Sequence, residues 1–510
     1  MRRRRLASAL AALLFGAAAC AIAPRASAPA LAEQGAASAA QAPSGAAGPE
    51  SAPQADVSSG PSPSAAAPSP TAGEALPAAD ALAPPARRCA LWVLAEGSQR
   101  VLEHRERLEW LLADARDLRA TDLFVQVYRG GRAWFDSSLA DAAPWHATWR
   151  DPAAPGADAL AVLIERAHRQ GLRVHAWVNV LSLASNPGAP IVRELGAGAV
   201  HVDQWGRSLL DYPGFDVPPE ERKHVRLGTP GVYLDPAAPG VAERLAATFE
   251  ELVRRYPGLD GLHLDYIRYP DTLPFAPGTR FGGLSFGYGH ETRARFRAET
   301  GLEAPFGDSL ANASRFDAWR REQLSALVAR IRERATAARP GLALSAAVFH
   351  DDERAYLTVF QDWRGWLEDS LLDFAVPMLY STDERIVRYR VRELAGLPEA
   401  TRIWVGLGSW LFGSDPARAV AQVRLVESTG ALGVSLFSWD SIREMPALRD
   451  AIAAAATGAR PTVAAAAGPT TSPPTNGAPP DATPPDPSAP ASPAPPSAPP
   501  PVPAAAPAAP

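Results

Sequence analysis

Between residues 88 and 456 short apolar runs alternate with longer stretches in which apolar residues recur every three or four positions. The runs predict strands at Ala90–Ala95, Leu123–Tyr128, Arg173–Val178, Gly261–Ile267, Ala343–Phe349, Phe374–Leu379, Ile403–Gly408 and Gly433–Ser438. The amphipathic stretches predict helices at Arg105–Leu118, Ala157–Gln170, Val241–Arg255, Phe316–Ala338, Trp363–Leu371, Ile386–Leu394, Pro416–Ser428 and Pro446–Ala456. Strands that are apolar almost throughout, each followed by a helix, imply a parallel sheet covered by helices. Eight such units in one domain favour a single (β/α)8 barrel of the TIM type over an open doubly wound sheet. Glu96-Gly97-Ser98-Gln99 follows the first strand where a nucleotide-binding fold would carry GxGxxG, which disfavours a Rossmann site.

Two connections exceed ordinary loop lengths. Leu181–Pro239, after strand 3, contains a predicted hairpin around Gln204-Trp205-Gly206, and Asp271–Ser314, after strand 4, is rich in Gly, Pro and aromatics. Both leave from C-terminal strand ends, so both are expected to wall the face where barrel enzymes keep their reacting groups.

Composition narrows the folded part of the 510-residue chain. Its 52 prolines gather largely in residues 21–87 and 457–510, Ala/Pro/Ser-rich segments that read as a disordered linker and a disordered tail around a domain at 88–456. Residues 1–20, with Arg2 to Arg5 ahead of an apolar run from Leu6 to Ala19, have the layout of an export signal and place the protein in the periplasm or cell envelope. Cys20 after Ala17-Ala18-Ala19 leaves two readings open: a lipoprotein anchor, or ordinary cleavage at a later site such as Ala30-Leu31-Ala32. A lipid at Cys20 is the one membrane attachment expected. Cys89 then has no disulfide partner and reads as a buried strand residue. A formal charge of −5, with no basic cluster beyond the signal, argues against nucleic acid. The nine His show neither HxH nor HExxH and there is no cysteine cluster, so neither a metal nor a cofactor is expected, and no GxSxG elbow marks a serine hydrolase. The chain reads as a monomer.

Within DGLHLDYIRYP, residues 260–270, side-chain alternation puts His263, Asp265 and Ile267 on one face and Leu262, Leu264 and Tyr266 on the other. The leucine face suits the helices, which points Asp265 into the barrel at its C-terminal rim. The other strand ends are polar and aromatic too: Glu96, Tyr128, Trp177 and Asn179, His350-Asp351-Asp352-Glu353, Tyr380, Trp410, and Trp439-Asp440. Rings to stack on sugar CH faces, interspersed with hydroxyl-binding groups, fit a carbohydrate cleft. Hydrolysis of a glycosidic bond needs two carboxyl groups. The expected pair is Asp265 with Asp351 or Asp352, since strand 5 neighbours strand 4 at about 4.8 Å. Tyr128, Asn179, Arg268, Tyr380 and Asp440 are the expected polar contacts to the sugar; Trp177, Trp410 and Trp439 are the expected stacking rings. His263, one layer deeper, reads as a hydrogen-bonded core histidine, and Asp235 before Pro236 as a helix cap.

The segments TDLFVQVYRGGRAWF, GLRVHAWVNV, VYLDPAAPGV, DGLHLDYIRYP, LSAAVFHDD, QDWRGWLEDSLLDFAVPMLYS and GVSLFSWDS resemble, in order, the bacterial glycosyl hydrolase-like family 10, over about Arg88–Ile452. The resemblance implies a barrel glycosidase acting on an envelope polysaccharide, with relatives that act on peptidoglycan strands stripped of peptides. The family's aspartate at the end of strand 4 matches Asp265. Many relatives carry two consecutive aspartates there, whereas this chain has Asp265-Tyr266. The alternative reading is a non-catalytic glycan-binding barrel tethered in the envelope, which keeps the aromatic cleft and needs no second carboxyl; a deacetylase would call for a metal cluster.

Overall fold

Each expected apolar run becomes a parallel strand: β1 Cys89–Val93, β2 Asp122–Arg129, β3 Arg173–Asn179, β4 Gly261–Asp265, β5 Ala343–Phe349, β6 Phe374–Leu379, β7 Trp404–Gly408 and β8 Gly433–Phe437. The computed structural model describes residues 88–457 apart from 154–155, 223–224, 274–283 and 308. The expected signal at 1–20, Cys20, the linker at 21–87 and, beyond Thr457, the tail lie outside the described residues. Every strand pairs in parallel with its successor, and β1 returns to β8 with Cys89 opposite Val434 and Leu91 opposite Leu436, so the sheet closes into a barrel.

The outer ring consists of α1 Arg105–Asp117, α2 Ala159–Arg169, α3 Val241–Arg255, α4 Leu310–Ala338, α5 Trp363–Glu368, α6 Glu384–Ala395, α7 Pro416–Glu427 and α8 Pro446–Ala456. Caps fix several of their starts: Asp158 accepts the Ala161 N–H at 3.0 Å ahead of α2, and Asp383 accepts the Arg385 N–H at 2.8 Å ahead of α6. The Ser309 hydroxyl caps α4, which therefore begins six residues before the predicted Phe316. In contrast, α5 stops at Glu368 rather than Leu371, because Ser370 adopts a φ of 57° that no helix continues through.

Period-two alternation divides the core in two. Leu91, Val93, Leu123, Val125, Leu262 and Leu264 face outward onto helix residues such as Leu108, Phe249 and Leu327. Inside, Trp92, Phe124, Trp177, Phe374 and Trp404 fill the barrel. His263 sits among them with its ring stacked on Phe124 at a centroid distance of 4.1 Å. The Trp92 indole N–H donates to His263 Nε2 at 3.1 Å; an indole can only donate, so Nε2 is bare and Nδ1–H is left to donate to Ser345 Oγ at 2.9 Å. Burial holds the imidazole well below its ordinary pKa, so the barrel interior carries a neutral, tautomerically fixed histidine. At the bottom of β4 a Cβ on Gly261 would lie 2.1 Å from His175 Nδ1 and 2.9 Å from the Ala343 carbonyl, which leaves room for glycine alone.

β4 ends earlier than the apolar pattern implies. Tyr266 has a φ of 50°, and this left-handed residue reverses the alternation. Ile267 consequently joins the helix-side cluster instead of sharing a face with Asp265, correcting that expectation.

The two long connections are tied to each other. Arg226–Leu227 of the first pairs antiparallel with Thr272–Leu273 of the second, and Asp203 lies opposite Phe286. The predicted hairpin forms at residues 202–208, with the Asp203 N–H donating to the Arg207 carbonyl at 2.9 Å.

Candidate functional site

The mouth of the barrel is built from residues at and just beyond the C-terminal ends of the strands. On β3 and β4, Asn179 lies opposite Asp265 and Trp177 opposite His263, so the indole of Trp177 rises beside the carboxylate from one layer below. Its Nε1–H donates to Asp265 Oδ2 at 3.1 Å, while the Tyr266 backbone N–H donates to Oδ1 at 2.7 Å. Arg268 folds back across the left-handed turn until Nη1 is 3.7 Å from Oδ1. Its guanidinium is sandwiched between Tyr266, at 4.3 Å from the ring centroid, and Phe349, at 5.0 Å. Asp265 is 7 % exposed, and burial pushes its pKa up against the opposing pull of the Arg268 charge and of the two N–H donors. A carboxyl so placed holds a proton more readily than a surface aspartate does.

Opposite β4 an aromatic wall completes the mouth. Tyr380 packs edge-on against Trp410 at 4.9 Å and tilts over Phe437 at 5.6 Å, and Phe437 in turn reaches Trp177 at 6.2 Å. The Tyr380 hydroxyl has no hydrogen-bond partner among the described residues; burial, reinforced by the Asp265 charge, keeps it protonated. On the remaining side Gln126 donates to Asn179 Oδ1 at 3.2 Å and accepts the Ala95 N–H at 3.3 Å, which links β1, β2 and β3 across the rim. Gln126 and Phe437 belong to the mouth in addition to the residues that the sequence pattern singles out. Inward alternation on β2 and β8 is the signal that points to them.

Several expected contacts lie elsewhere. A register shift between Gln126 and Tyr128 turns Tyr128 outward, where it packs edge-on on Phe249 of α3; it belongs to the helix-side core and not to the mouth. Trp439 is fully buried as the first residue of a helix, Trp439–Glu444, that Ser438 caps, and its Nε1–H donates to Asp114 of α1 at 2.9 Å. It offers no face to a ligand. Asp440 spends its oxygens on the backbone N–H groups of Leu94 and Gln99, both at 3.1 Å, so it holds the loop after β1; burial pushes its pKa up to about 6. Trp177 is 3 % exposed and acts through its N–H on Asp265 rather than as an open stacking surface. Arg268 is likewise enclosed, its charge directed at Asp265. Asn179, Tyr380 and Trp410 are gathered at the mouth beside Asp265.

The second carboxyl is not brought into contact with the first. Asp351 caps the helix Asp352–Thr358 by accepting the Arg354 N–H at 3.1 Å and pairs with Arg390 of α6 at 2.7 Å. Asp352 pairs with Arg364 of α5 at 3.2 Å. Glu96, in the loop after β1, is clasped by Arg129 and Arg132. An open depression of ≈ 530 Å³ between that short helix and α5, lined by Asp352, Glu353, Tyr356, Asp362 and Arg364, shares no residue with the Asp265 cluster. Among the described residues, no three His, Cys, Asp or Glu side chains are grouped to hold a metal ion, and no helix is long and apolar enough to cross a membrane.

Fold and mouth together define a (β/α)8 barrel with a buried carboxyl at the C-terminal end of β4 and an aromatic wall facing it. Residues 88–407 match the family described as Glycosyl hydrolase-like 10, and the chain belongs to that family. It is 28% identical over 317 residues to Glycosyl hydrolase DigH of Escherichia coli (strain K12), covering 58% of this chain and 63% of that one. To Glycosyl hydrolase YngK of Bacillus subtilis (strain 168) it is 24% identical over 300 residues, 55% of this chain and 50% of the other. The chain thus spans less than two thirds of the length of either relative. Among solved structures, the catalytic domain of a beta-amylase from Paenibacillus polymyxa aligns with a TM-score of 0.45 at 13% identity, over 73% of this chain and 99% of that one. Alpha-L-fucosidase isoenzyme 2 from Paenibacillus thiaminolyticus aligns with a TM-score of 0.46 at 13% identity, over 73% and 49%.

Proposed function

We propose that this protein is an exported glycoside hydrolase that cleaves O-glycosidic bonds of a cell-envelope polysaccharide, with peptidoglycan freed of its stem peptides as substrate. The observation that supports it most is Asp265: a carboxyl buried at the mouth, raised in pKa by that burial and facing the ring wall of Tyr380, Trp410 and Phe437. A proton held there is available to the leaving glycosidic oxygen. Asn179 and the unpaired Tyr380 hydroxyl bind sugar hydroxyls, and Trp410 meets the sugar's apolar face. Trp177 and Arg268 position the Asp265 carboxyl and limit how far its pKa rises. Asp351, two residues after β5, the strand beside β4 in the sheet, is the second carboxyl of choice because it lies nearer the strand end than Asp352; each is paired with an arginine, Arg390 and Arg364 respectively. The name shared by DigH and YngK supports the reaction class. Residues 1–20 support export, and a lipid on Cys20 is the proposed membrane attachment of an otherwise monomeric protein.

The pairing of Asp351 with Arg390 favours one alternative, a tethered barrel that binds glycan without cutting it. Mass spectrometry of the products released from purified peptidoglycan, with and without its stem peptides, separates the two. The hydrolase releases sugar fragments from the peptide-free strands, and Asp265→Asn lowers that rate by about 10³-fold with little change in stability. Asp351→Asn gives a comparable loss if it is the partner, and Asp352→Asn does so if the choice between them is wrong. Strands that bind but yield no fragments with the wild-type protein would establish the binder.

A further inference from the structure

Among the described residues few aromatic rings are exposed, and one of them is held out on purpose-built scaffolding. Trp205 is 52 % exposed at the tip of the hairpin in the insert after β3. Its neighbour Asp203 is fully buried and makes four contacts: it accepts the backbone N–H groups of Trp205 and Arg207, both at 3.0 Å, the Arg207 Nε–H at 2.7 Å and the Tyr212 hydroxyl at 2.9 Å. The Arg207 guanidinium backs the indole at 4.9 Å from the ring centroid. The hairpin is bonded in turn to the insert after β4, where the Gln204 N–H donates to the Ser285 carbonyl at 3.1 Å and the Ser285 N–H to Gln204 Oε1 at 2.7 Å. A ring that gained stability from burial would be turned in; here a fully desolvated aspartate fixes the backbone on either side of a ring that stays in solvent. The cost of desolvating Asp203 is met by four donors, and what they secure is the position of Trp205.

Position ties the ring to the barrel mouth. The His201 N–H, at the root of the hairpin, donates to the Tyr233 carbonyl at 2.9 Å; the Tyr233 ring lies 6.2 Å from that of Tyr266, the residue after Asp265. The chain turns back over Asp203–Gly206, where the Gly206 N–H donates to the Asp203 carbonyl at 3.0 Å, so Trp205 sits in the turn a short way beyond that root. It stands where the inserts after β3 and β4, both leaving from C-terminal strand ends, are bonded to each other.

We propose that Trp205 is the platform of a distal sugar subsite, taking the apolar CH face of a ring several units from the bond cleaved at Asp265, so that long glycan strands are preferred to short oligosaccharides. The inference rests on the glycan-hydrolase reading for its substrate and on the hairpin for its geometry. Arg207 leaves one face of the indole free for the sugar, and pinning the hairpin beforehand lowers the entropy lost on binding.

The test compares kcat/KM on long peptide-free peptidoglycan strands with kcat/KM on the tetrasaccharide prepared from them. Replacing Trp205 by Ala lowers the ratio of the two by about tenfold, as the loss of one ring–sugar stack implies, and Trp205→Tyr restores most of it. A ratio equal to that of the wild type in Trp205→Ala overturns the subsite while leaving the hydrolase reading intact. If the wild-type protein cleaves neither, sedimentation of the protein with the same strands decides: binding weakened by Trp205→Ala upholds the subsite without the hydrolase, and unchanged binding removes it.

Discussion

Replacing Trp177 by Phe tests how the mouth controls its own carboxyl. The substitution keeps an apolar ring inside the barrel and deletes one group, the Nε1–H that donates to Asp265 Oδ2 at 3.1 Å. Hydrogen bonds to charged acceptors contribute about 1.5–3 kcal/mol, and one pKa unit corresponds to about 1.4 kcal/mol. The Asp265 pKa, already raised by burial, should therefore climb by a further ~1–2 units. Tyr266 N–H at 2.7 Å and Arg268 remain in place, so the carboxyl keeps its orientation. A 13C titration of the aspartate carboxyls, with Asp265→Asn supplying the assignment, reads the shift directly. The pH profile of kcat/KM then assigns the role. If Asp265 donates a proton, the high-pH limb moves up by the same amount; if it acts ionised, the low-pH limb moves up. Stability must follow as well. A carboxyl whose folded pKa is raised contributes most below its unfolded pKa and loses that contribution as pH rises through the folded value, so Trp177→Phe carries this loss to higher pH and deepens it. A titration that coincides with the wild type would show that the indole is packing only, and the account of the site would fail there.

Three further outcomes follow from other parts of the fold. Asp440, with a pKa raised from 3.8 to about 6, should destabilise the protein by ~3 kcal/mol between pH 4 and pH 7, and Asp440→Asn should lack that component; parallel denaturant-derived stability curves for the two proteins across this range would contradict it. Gly261→Ala forces a methyl group onto the His175 ring and the Ala343 carbonyl, so its urea midpoint should fall by an amount equivalent to ~3 kcal/mol or more, and an unshifted midpoint would mean that the bottom of β4 is looser than described. Trp439→Phe leaves Asp114 to Arg443 and Arg449 and should cost ~1–3 kcal/mol in stability, with no change in glycan affinity once the folded fraction is matched; a weakened affinity would return Trp439 to the mouth.

The barrel was legible because parallel strands covered on both faces are apolar throughout, and Leu262 and Leu264 around His263 and Asp265 already show which face looks inward. Asp265 itself followed from that alternation. What failed failed where the backbone leaves regular geometry. The register shift at Tyr128 and the left-handed Tyr266 each reverse the inside–outside order for the next residue, and neither is flanked by a glycine or proline that would announce it. Trp439 looked like a strand-end residue because its role as the first residue of a new helix depends on Ser438 serving as the cap. The order of residues after strand 5 puts Asp351 and Asp352 next to Asp265 as inward carboxylates. Their actual partners, Arg390 and Arg364, come from α6 and α5, and no local pattern predicts ion pairs between separate elements. Trp177 was recognised as inward, but its function as a donor to Asp265 emerges from the β3–β4 register.

The closing seam between β1 and β8 has a consequence for any fragment of this protein. The stretch matching the family stops at residue 407, within β7, whereas β1 is completed by residues 434–436 near the end of the described chain. A piece trimmed to the family boundaries would lack β8 and leave two bare strand edges, β1 and β7, each with unpaired N–H and C=O groups and apolar side chains on both faces. Such edges template sheet growth between molecules. During synthesis the same edges stay open until the last strand emerges, so the final fifty or so residues of the barrel act as a latch against self-association.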